Sequence, residues 1–374
     1  MHRVADQIVE ILEKAGVKRI YGIVGDSLNP VTDALRRRKT IEWIHVRHEE
    51  VAAFAASAEA QLSGNLAVCC GSSGPGNLHL INGLFDAHRN HAPVLAIASH
   101  IPQSQVGMEY FQATHPEQLF KECSAYAELV SEASQAPSIL MSAIQHAWAR
   151  RDVGVVVLPG DIADAPAEMK NLVHPPSYTR ENVVPEHESV SLLARMLDDH
   201  RRITFFCGAG CAGAEDRVVR LAHRLKAPIA YTWRGKDYFE HDNPLGIGMT
   251  GLLGWGDAYK AMHESDMLVL WGTDFPYFNF IPTKPEIVQI DRRGEVLGRR
   301  CRLDLGICGD VSVTAEALLN MVQEKTDSGH LDAALKRHAR DVKEMNAYME
   351  GNDKESPIRP EQLPVPESSL YGLS

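Results

Sequence analysis

Short apolar runs alternate with stretches of helical period through the first 160 residues, and this alternation constrains the fold more than any other feature. The runs 20–24, 41–46, 66–70, 93–99 and 154–158 predict buried strands. Between them, Val4, Ile8, Ile11 and Leu12 recur at helical spacing ahead of Gly16. The stretch 49–62 is Ala-rich and helical, and 78–88 and 134–150 also predict helices. Near-continuous apolar strands separated by helices predict a parallel sheet covered on both faces.

A second such series follows a proline-punctuated stretch at 163–185, which predicts a linker. It comprises a helix at 188–198, a strand at 203–207, a helix at 216–225 and strands at 228–231, 267–271 and 287–290. Helices at 313–322 and 324–348 complete it, and a proline-rich, aperiodic tail follows residue 356. The expected fold class is therefore α/β, with two doubly wound parallel-sheet domains over 1–162 and 186–325. Residues 326–374 read as helical and then frayed. A chain of 374 residues has ample length for two cores.

Net charge is −11, which argues against binding a nucleic-acid backbone. The run Arg36-Arg37-Arg38 reads as a solvated helix end. No apolar stretch reaches the roughly 18 residues needed to span a bilayer, and no signal peptide precedes the first helical pattern, so a cytoplasmic location is expected. The seven cysteines include no C-x-x-C pair and read as free thiols in a reducing compartment, with no metal site.

Two glycine patterns compete for a role. Gly208-Ala-Gly210-Cys-Ala-Gly213 follows a strand and opens a helix, as a phosphate-binding turn does. The next strand, however, runs out into Tyr231-Thr232-Trp233-Arg234 without the carboxylate a nicotinamide dinucleotide site wants. The second pattern is distributed. Gly22-Ile-Val-Gly25-Asp26, Arg47-His48-Glu49-Glu50 and Gly71-Ser-Ser-Gly74-Pro75-Gly76-Asn77 all sit where a strand ends. Acids at the start of a helix can serve the macrodipole alone. Three such strand ends on one sheet edge also mark the place where open α/β sheets bind ligands.

Arg47-His48-Glu49-Glu50-Val51-Ala52-Ala53 and Gly71 to Asn77, with Leu158-Pro159-Gly160-Asp161, Arg234-Gly235-Lys236 and Gly248-Met249-Thr250-Gly251-Leu252, resemble thiamine-diphosphate-dependent enzymes, specifically the bacterial pyruvate oxidase or quinone-dependent pyruvate dehydrogenase family. The resemblance runs from residue 3 to about 362 and implies a pyrimidine-binding domain at 1–162 and a Rossmann-like FAD-binding domain at 186–325. It implies thiamine diphosphate, Mg²⁺ and FAD as cofactors, pyruvate as the 2-keto acid and a quinone as electron acceptor. Family members are homodimers or homotetramers, and complete ones can lie peripherally on the inner membrane.

By the same resemblance Glu49 is the catalytic carboxyl group, hydrogen-bonded to the ring nitrogen of the cofactor's aminopyrimidine. Glu50, about 100° further around the helix, cannot reach the same atom. Phe111 and Gln112 are implied at the active site, the alternative for Phe111 being loop packing. Gly25, Gly74, Gly76 and Asn77 are implied along the cofactor's edge. The FAD contacts implied are Arg234, Thr250, Gly251, Leu252, Leu253, Thr273, Asp274, Phe275, Pro276, Tyr277 and Asp291. For Asp291 the alternative is a helix cap or a pair with Arg292 or Arg293.

The resemblance also implies a Gly-Asp-Gly motif that holds Mg²⁺ and the diphosphate. The Gly-Asp pairs here, at 25–26, 160–161, 256–257 and 309–310, are never followed by glycine. The expectation is that the pyrophosphate domain holding Mg²⁺ lies outside this sequence and that the chain alone does not turn over. Two alternatives stand beside this one: a non-catalytic FAD- or nucleotide-binding or assembly remnant, and an acetolactate synthase-like keto-acid enzyme.

Overall fold

The computed structural model describes residues 2–167, 179 and 181–350, the side chains of 348–350 excepted. Of the expected linker, 168–178 and 180 lie outside the described residues, as does the tail from 351. The chain divides into two compact units, Met1–Arg180 and Glu181–Ser374.

Unit 1 holds six strands: β1 (Arg19–Gly22), β2 (Glu42–His45), β3 (Ala67–Gly71), β4 (Val94–His100), β5 (Tyr126–Leu129) and β6 (Val153–Pro159). Its helices are α1 (Val4–Lys14), α2 (Asn29–Arg38), α3 (Glu49–Ser63), α4 (Pro75–Asn90), α5 (Pro116–Leu119), α6 (Ala136–Arg150) and α7 (Gly160–Asp164). The sheet is parallel throughout, in the order β2-β1-β3-β4-β6-β5. Successive strand residues point to opposite faces. Val68, Cys70, Leu95 and Ile97 pack with α1, α2 and α6, whereas Ala67, Cys69, Val94 and Ala96 pack with α3 and α4. Burial on both sides explains the unbroken apolar runs.

Helices α3 and α4 approach closely because their contact is made of small residues. Ala52, Ala53, Ala56 and Ala60 are fully buried on α3. Opposite them, a Cβ at Gly83 would lie 2.5 Å from the Ala53 Cβ and 2.8 Å from the Glu50 carbonyl oxygen. This proximity sets the first turn of α3 beside the middle of α4.

The arginine run at the end of α2 is only partly solvated. Arg36 is largely exposed, but Arg37 pairs with Asp6 and Arg38 forks onto Glu13 at 2.7 Å, both acids on α1. Burial pushes the Asp6 carboxyl up, but the Arg3 amide and the Arg37 guanidinium outweigh it and hold it below the usual range. The run therefore clamps α1 to α2.

Unit 2 contains β7 (Ile203–Cys207), β8 (Ile229–Tyr231), β9 (Gly246–Met249), β10 (Trp255–Gly256), β11 (Met267–Trp271), β12 (Glu286–Asp291) and β13 (Leu305–Cys308). Its helices are α8 (His187–Asp199), α9 (Glu215–Leu225), α10 (Lys236–Phe239), α11 (Ala258–Glu264), α12 (Val311–Leu319) and α13 (Gly329–Glu350). The order is β10-β9-β8-β7-β11-β12-β13, and β10 runs antiparallel to β9. The other pairs are parallel, so the sheet is mixed only at this edge, within the expected doubly wound α/β class. Five cysteines, Cys69, Cys70, Cys123, Cys207 and Cys211, are buried free thiols; Cys301 is half-buried and Cys308 exposed. Burial pushes the Cys69 thiol up to about 12, so it stays protonated.

Helix α13 is pinned over the β9–β10 edge by Arg337, which forks onto the buried Asp257 at 2.6 and 2.8 Å. His330 on the same helix meets the Thr204 hydroxyl at 2.9 Å, and His338 packs against Trp255. Burial lowers the pKa of both histidines below the usual value. The folded state therefore holds them neutral, and stability present above about pH 6.5 is lost as the pH falls below it. Urea unfolding at pH 7.5 and 5.5 is expected to show unit 2 weaker at the lower pH. His330→Gln should reduce that difference; an unchanged difference in His330→Gln and His338→Gln would refute the assignment. Among the described residues, no helix is long and apolar enough to cross a membrane.

Candidate functional site

In unit 1 the chain turns outward between β1 and β3. The connection from β1 leads through α2 to β2 on one side, and later strands build on the other. At such a switch point the strand ends splay and leave a crevice. Gly25, beyond β1, lies so close to the β3 turn that a Cβ there would stand 2.6 Å from the Ser72 Cβ. Ser27 ties the two turns together: its hydroxyl accepts from the Ser73 amide at 3.1 Å, and its carbonyl accepts from the Ser99 hydroxyl at 2.7 Å.

Glu49 starts α3 at this crevice. His48 caps the helix, its Nδ1 accepting the Glu50 N–H at 3.2 Å. The Glu49 carboxyl is buried, 7% exposed, and its Oε2 stands 3.0 Å from the Nδ1 of His79 on α4. The rings of His48 and His79 stack with centroids 4.2 Å apart. Gly76 opens the other side of the carboxyl: a Cβ there would reach within 3.2 Å of Glu49 Oε1. Glu50 points elsewhere, accepting from the Asn82 amide. The two adjacent acids are thus separated as their helical spacing requires.

Asn77 is wholly buried, and its Nδ2 donates to the Ser99 carbonyl at 2.7 Å. Its Oδ1 is buried with no hydrogen-bond partner among the described residues, as is the Nδ1 of His100 at the end of β4. Gly74 adopts φ 70° and has the Gln112 backbone against it, 3.0 Å from where a Cβ would sit. Only glycine avoids both the strain and the clash there. The Gln112 Oε1 accepts from the Ser73 hydroxyl at 3.3 Å, so this loop reaches the β3 turn. Phe111 is 82% exposed, its ring tilted against that of Tyr110 in the same loop.

His79 was not foreseen from sequence. Helical periodicity places it on an exposed face of α4, and only the α3–α4 contact brings it to Glu49. The one sequence signal was its position shortly after the glycine turn.

Unit 2 has its own switch point between β7 and β11. Gly208 and Gly210 lie against the next strand end, where Cβ atoms would stand 2.6 Å from the Gly272 carbonyl oxygen and 2.7 Å from the Gly272 Cα. The glycine-rich turn is therefore used, at least in part, for packing two strand ends together. Thr250, after β9, is buried with its Oγ1 unpartnered among the described residues. Gly251 has φ 116° and Phe275 against it, and Leu252 and Leu253 are exposed beside them.

Phe275 is buried edge-on to Phe206, Pro276 is exposed, and Tyr277 stands half-exposed 5.4 Å from the Phe275 ring. Thr273 is buried, its carbonyl accepting from Gln289, while Asp274 pairs with Arg299 and Arg300 at 3.0 Å. Arg234 is exposed on the turn after β8. Asp291 ends β12, buried, accepting from the Arg293 N–H at 3.0 Å; its burial raises its pKa despite that arginine. Asp291 does not cap the helical turn that follows; its Oδ1 also lies 3.6 Å from the Arg293 guanidinium.

The aspartates of the four Gly-Asp pairs have other work. Asp26 accepts from Ser27 N, Asp161 from Gln103 N, Asp257 from Arg337 and Asp310 from Val183 N. The one cluster of metal-ligating side chains found among the described residues is His48, Glu49 and His79.

Residues 2–120 match the pattern described as the N-terminal TPP binding domain of thiamine pyrophosphate enzymes, and 190–318 match their central domain. An uncharacterized 42.6 kDa protein of Pseudomonas amyloderamosa is 56% identical over 91% of this chain and 86% of its own length. The pyruvate oxidase of Lactiplantibacillus plantarum is 31% identical over 95% of the chain. The chloroplastic acetolactate synthase of Arabidopsis thaliana is 27% identical over 90%. The chain spans 60% and 52% of the lengths of those two enzymes. With both matched regions falling on the two α/β units, the chain belongs to the thiamine pyrophosphate enzyme family.

Proposed function

We propose that unit 1 is the pyrimidine-binding domain and unit 2 the FAD-binding domain of a pyruvate oxidase-like enzyme. The reaction is oxidative decarboxylation: pyruvate, water and a quinone give acetate, CO₂ and the quinol. The observation that carries this reading is Glu49, a buried carboxyl at a strand-end crevice that the missing side chain of Gly76 leaves open. Thiamine diphosphate, when bound, supplies the nucleophilic carbon and electron sink that a 2-keto acid needs to lose CO₂.

Glu49 would hold a proton against the aminopyrimidine ring, and the desolvated wall keeps that hydrogen bond strong. The unpartnered Asn77 Oδ1 fits a ligand donor, and Gly25, Gly74 and Gly76 keep the backbone close. Phe111 and Gln112 would border the reacting end. In unit 2 the unpartnered Thr250 hydroxyl, with Gly251, Leu252 and Leu253, fits a flavin nucleotide approaching the backbone. Thr273, Asp274, Phe275, Pro276 and Tyr277 would line its path, Asp291 would accept from its hydroxyl groups and Arg234 would serve its diphosphate. The thiamine diphosphate phosphates and Mg²⁺ are assigned to no residue described here. The assembly we propose is a homodimer or homotetramer.

Purified protein is expected to carry or take up FAD, seen as flavin absorbance and quenched flavin fluorescence. Thr250→Val and Asp291→Asn should each weaken binding about tenfold, the scale of one lost hydrogen bond to a ligand. Absence of flavin binding, or binding indifferent to both variants, would overturn the assignment of unit 2. Acetolactate synthases also align, which supports a second reading, condensation of two keto acids. Product analysis separates them: acetate for the first, acetolactate for the second.

A further inference from the structure

The crevice of unit 1 holds a cluster that the aminopyrimidine reading does not use in full. One candidate ligand atom from each of His48, Glu49 and His79 lies within 4.8 Å of the others. We propose that these three side chains form a binding site for a transition divalent cation of the Zn²⁺ class. Two imidazoles and one carboxylate are the donor set such ions favour, and three protein ligands leave a fourth position for water.

The burial pattern suits the task. Glu49 is nearly enclosed and fixed by the α3–α4 contact, so it is the anchor. His48 and His79 are 45% and 44% exposed, so both rings can turn from their stacked arrangement to face a common ion. His79 Nδ1 already stands 3.0 Å from Glu49 Oε2, about the separation of two ligands on one ion.

Two effects oppose binding. The N-terminus of α3 carries positive potential, which disfavours a cation. His48 also loses its capping bond, because ligation through either nitrogen requires the other to carry the proton. Negative charge on Glu49, with Glu50 Oε2 3.7 Å from His48 Nδ1, offsets the first effect. The second removes one long hydrogen bond. The site is therefore expected to be selective for ions that prefer nitrogen ligands and weak for Mg²⁺ and Ca²⁺.

This inference does not depend on the thiamine reading, since a cation site can exist whether or not a cofactor binds there. If both are right, the ion and the aminopyrimidine compete for Glu49.

The test uses the whole chain titrated with Co²⁺ as a spectroscopic probe and Zn²⁺ as competitor. Expected are one equivalent of bound Co²⁺ with visible bands of nitrogen and oxygen ligation, displaced by Zn²⁺ and insensitive to excess Mg²⁺. Glu49→Gln and His79→Asn should each weaken binding by about tenfold or more, given that even supporting groups of metal sites act on that scale. His79 is exposed, so His79→Asn keeps the fold, which a thermal melt verifies. No binding, binding unchanged in both variants, or the ultraviolet charge-transfer band of cobalt–thiolate ligation would each overturn the proposal.

Discussion

Glu49→Gln is expected to slow any thiamine diphosphate-dependent turnover by about 10²- to 10⁴-fold, the usual contribution of a positioned acid–base group. The amide keeps the shape of the side chain but can neither hold an exchangeable acidic proton nor carry charge. Stability should change little or rise, because a buried charge is removed along with its one contact to His79. The assay supplies pyruvate, thiamine diphosphate, Mg²⁺ and an artificial electron acceptor. It is run on the chain alone and on the chain mixed with a full-length relative. In an arrangement that turns over, equal rates for wild type and variant would remove the catalytic role proposed for Glu49. Glu50→Gln is the control: its carboxyl faces Asn82 and its loss should leave the rate within a few-fold.

Substitution of Gly83 is expected to have a large effect on unit 1. Alanine gains up to about 1 kcal/mol in helix propensity over glycine. Against this, its Cβ would stand 2.5 Å from the Ala53 Cβ and 2.8 Å from both the Glu50 carbonyl oxygen and the Phe54 nitrogen. Two of those three atoms are backbone, so α3 must move as a body. Overpacking of this kind costs about 1–3 kcal/mol, so Gly83→Ala should be destabilising on balance. Gly83→Val adds two methyl groups and no propensity gain, and should cost about 3 kcal/mol or more. For a unit of this size that lowers the melting temperature by roughly 6–12 °C. Because the same contact places His79 against Glu49, Gly83→Ala should also lower Co²⁺ affinity while the protein remains folded. A melting temperature unchanged in Gly83→Val would show that the helices can separate freely.

The central architecture was legible because both faces of these sheets are covered. Segments such as Ala67–Gly71 and Val153–Pro159 are buried at every position and read directly as apolar runs between helices. Of the strands that escaped, Gly246–Met249 lies inside its sheet but alternates glycine with apolar residues, and the other three are at sheet edges. Tyr126–Leu129 and Leu305–Cys308 are four-residue strands with half-exposed positions, and Trp255–Gly256 is a two-residue antiparallel pair. None has a run long enough to separate it from a loop. Helix α4 begins at Pro75, three residues earlier than its periodicity suggests, because the glycine turn supplies its first residues.

The site divides in the same way. Glu49, Gly76 and Asn77 sit at strand ends, where topology alone gathers them, so sequence could nominate them. His79 comes from the side of a helix, and which residue of α4 meets α3 is decided by where Ala53 and Gly83 allow the two backbones to touch. The glycines at 208 and 210 show the reverse case: their spacing suggested a phosphate turn, and much of their requirement comes from the neighbouring Gly272 backbone.

The distribution of thiols makes this protein its own reporter. A maleimide dye added under native conditions meets Cys308 first, at the end of β13, while five sulfurs stay shielded inside the two units. Cys69, Cys70 and Cys123 belong to one unit and Cys207 and Cys211 to the other, so the order in which they become labelled during denaturation tells which half opens first. A single fluorophore for distance or anisotropy work can likewise be attached without adding a residue.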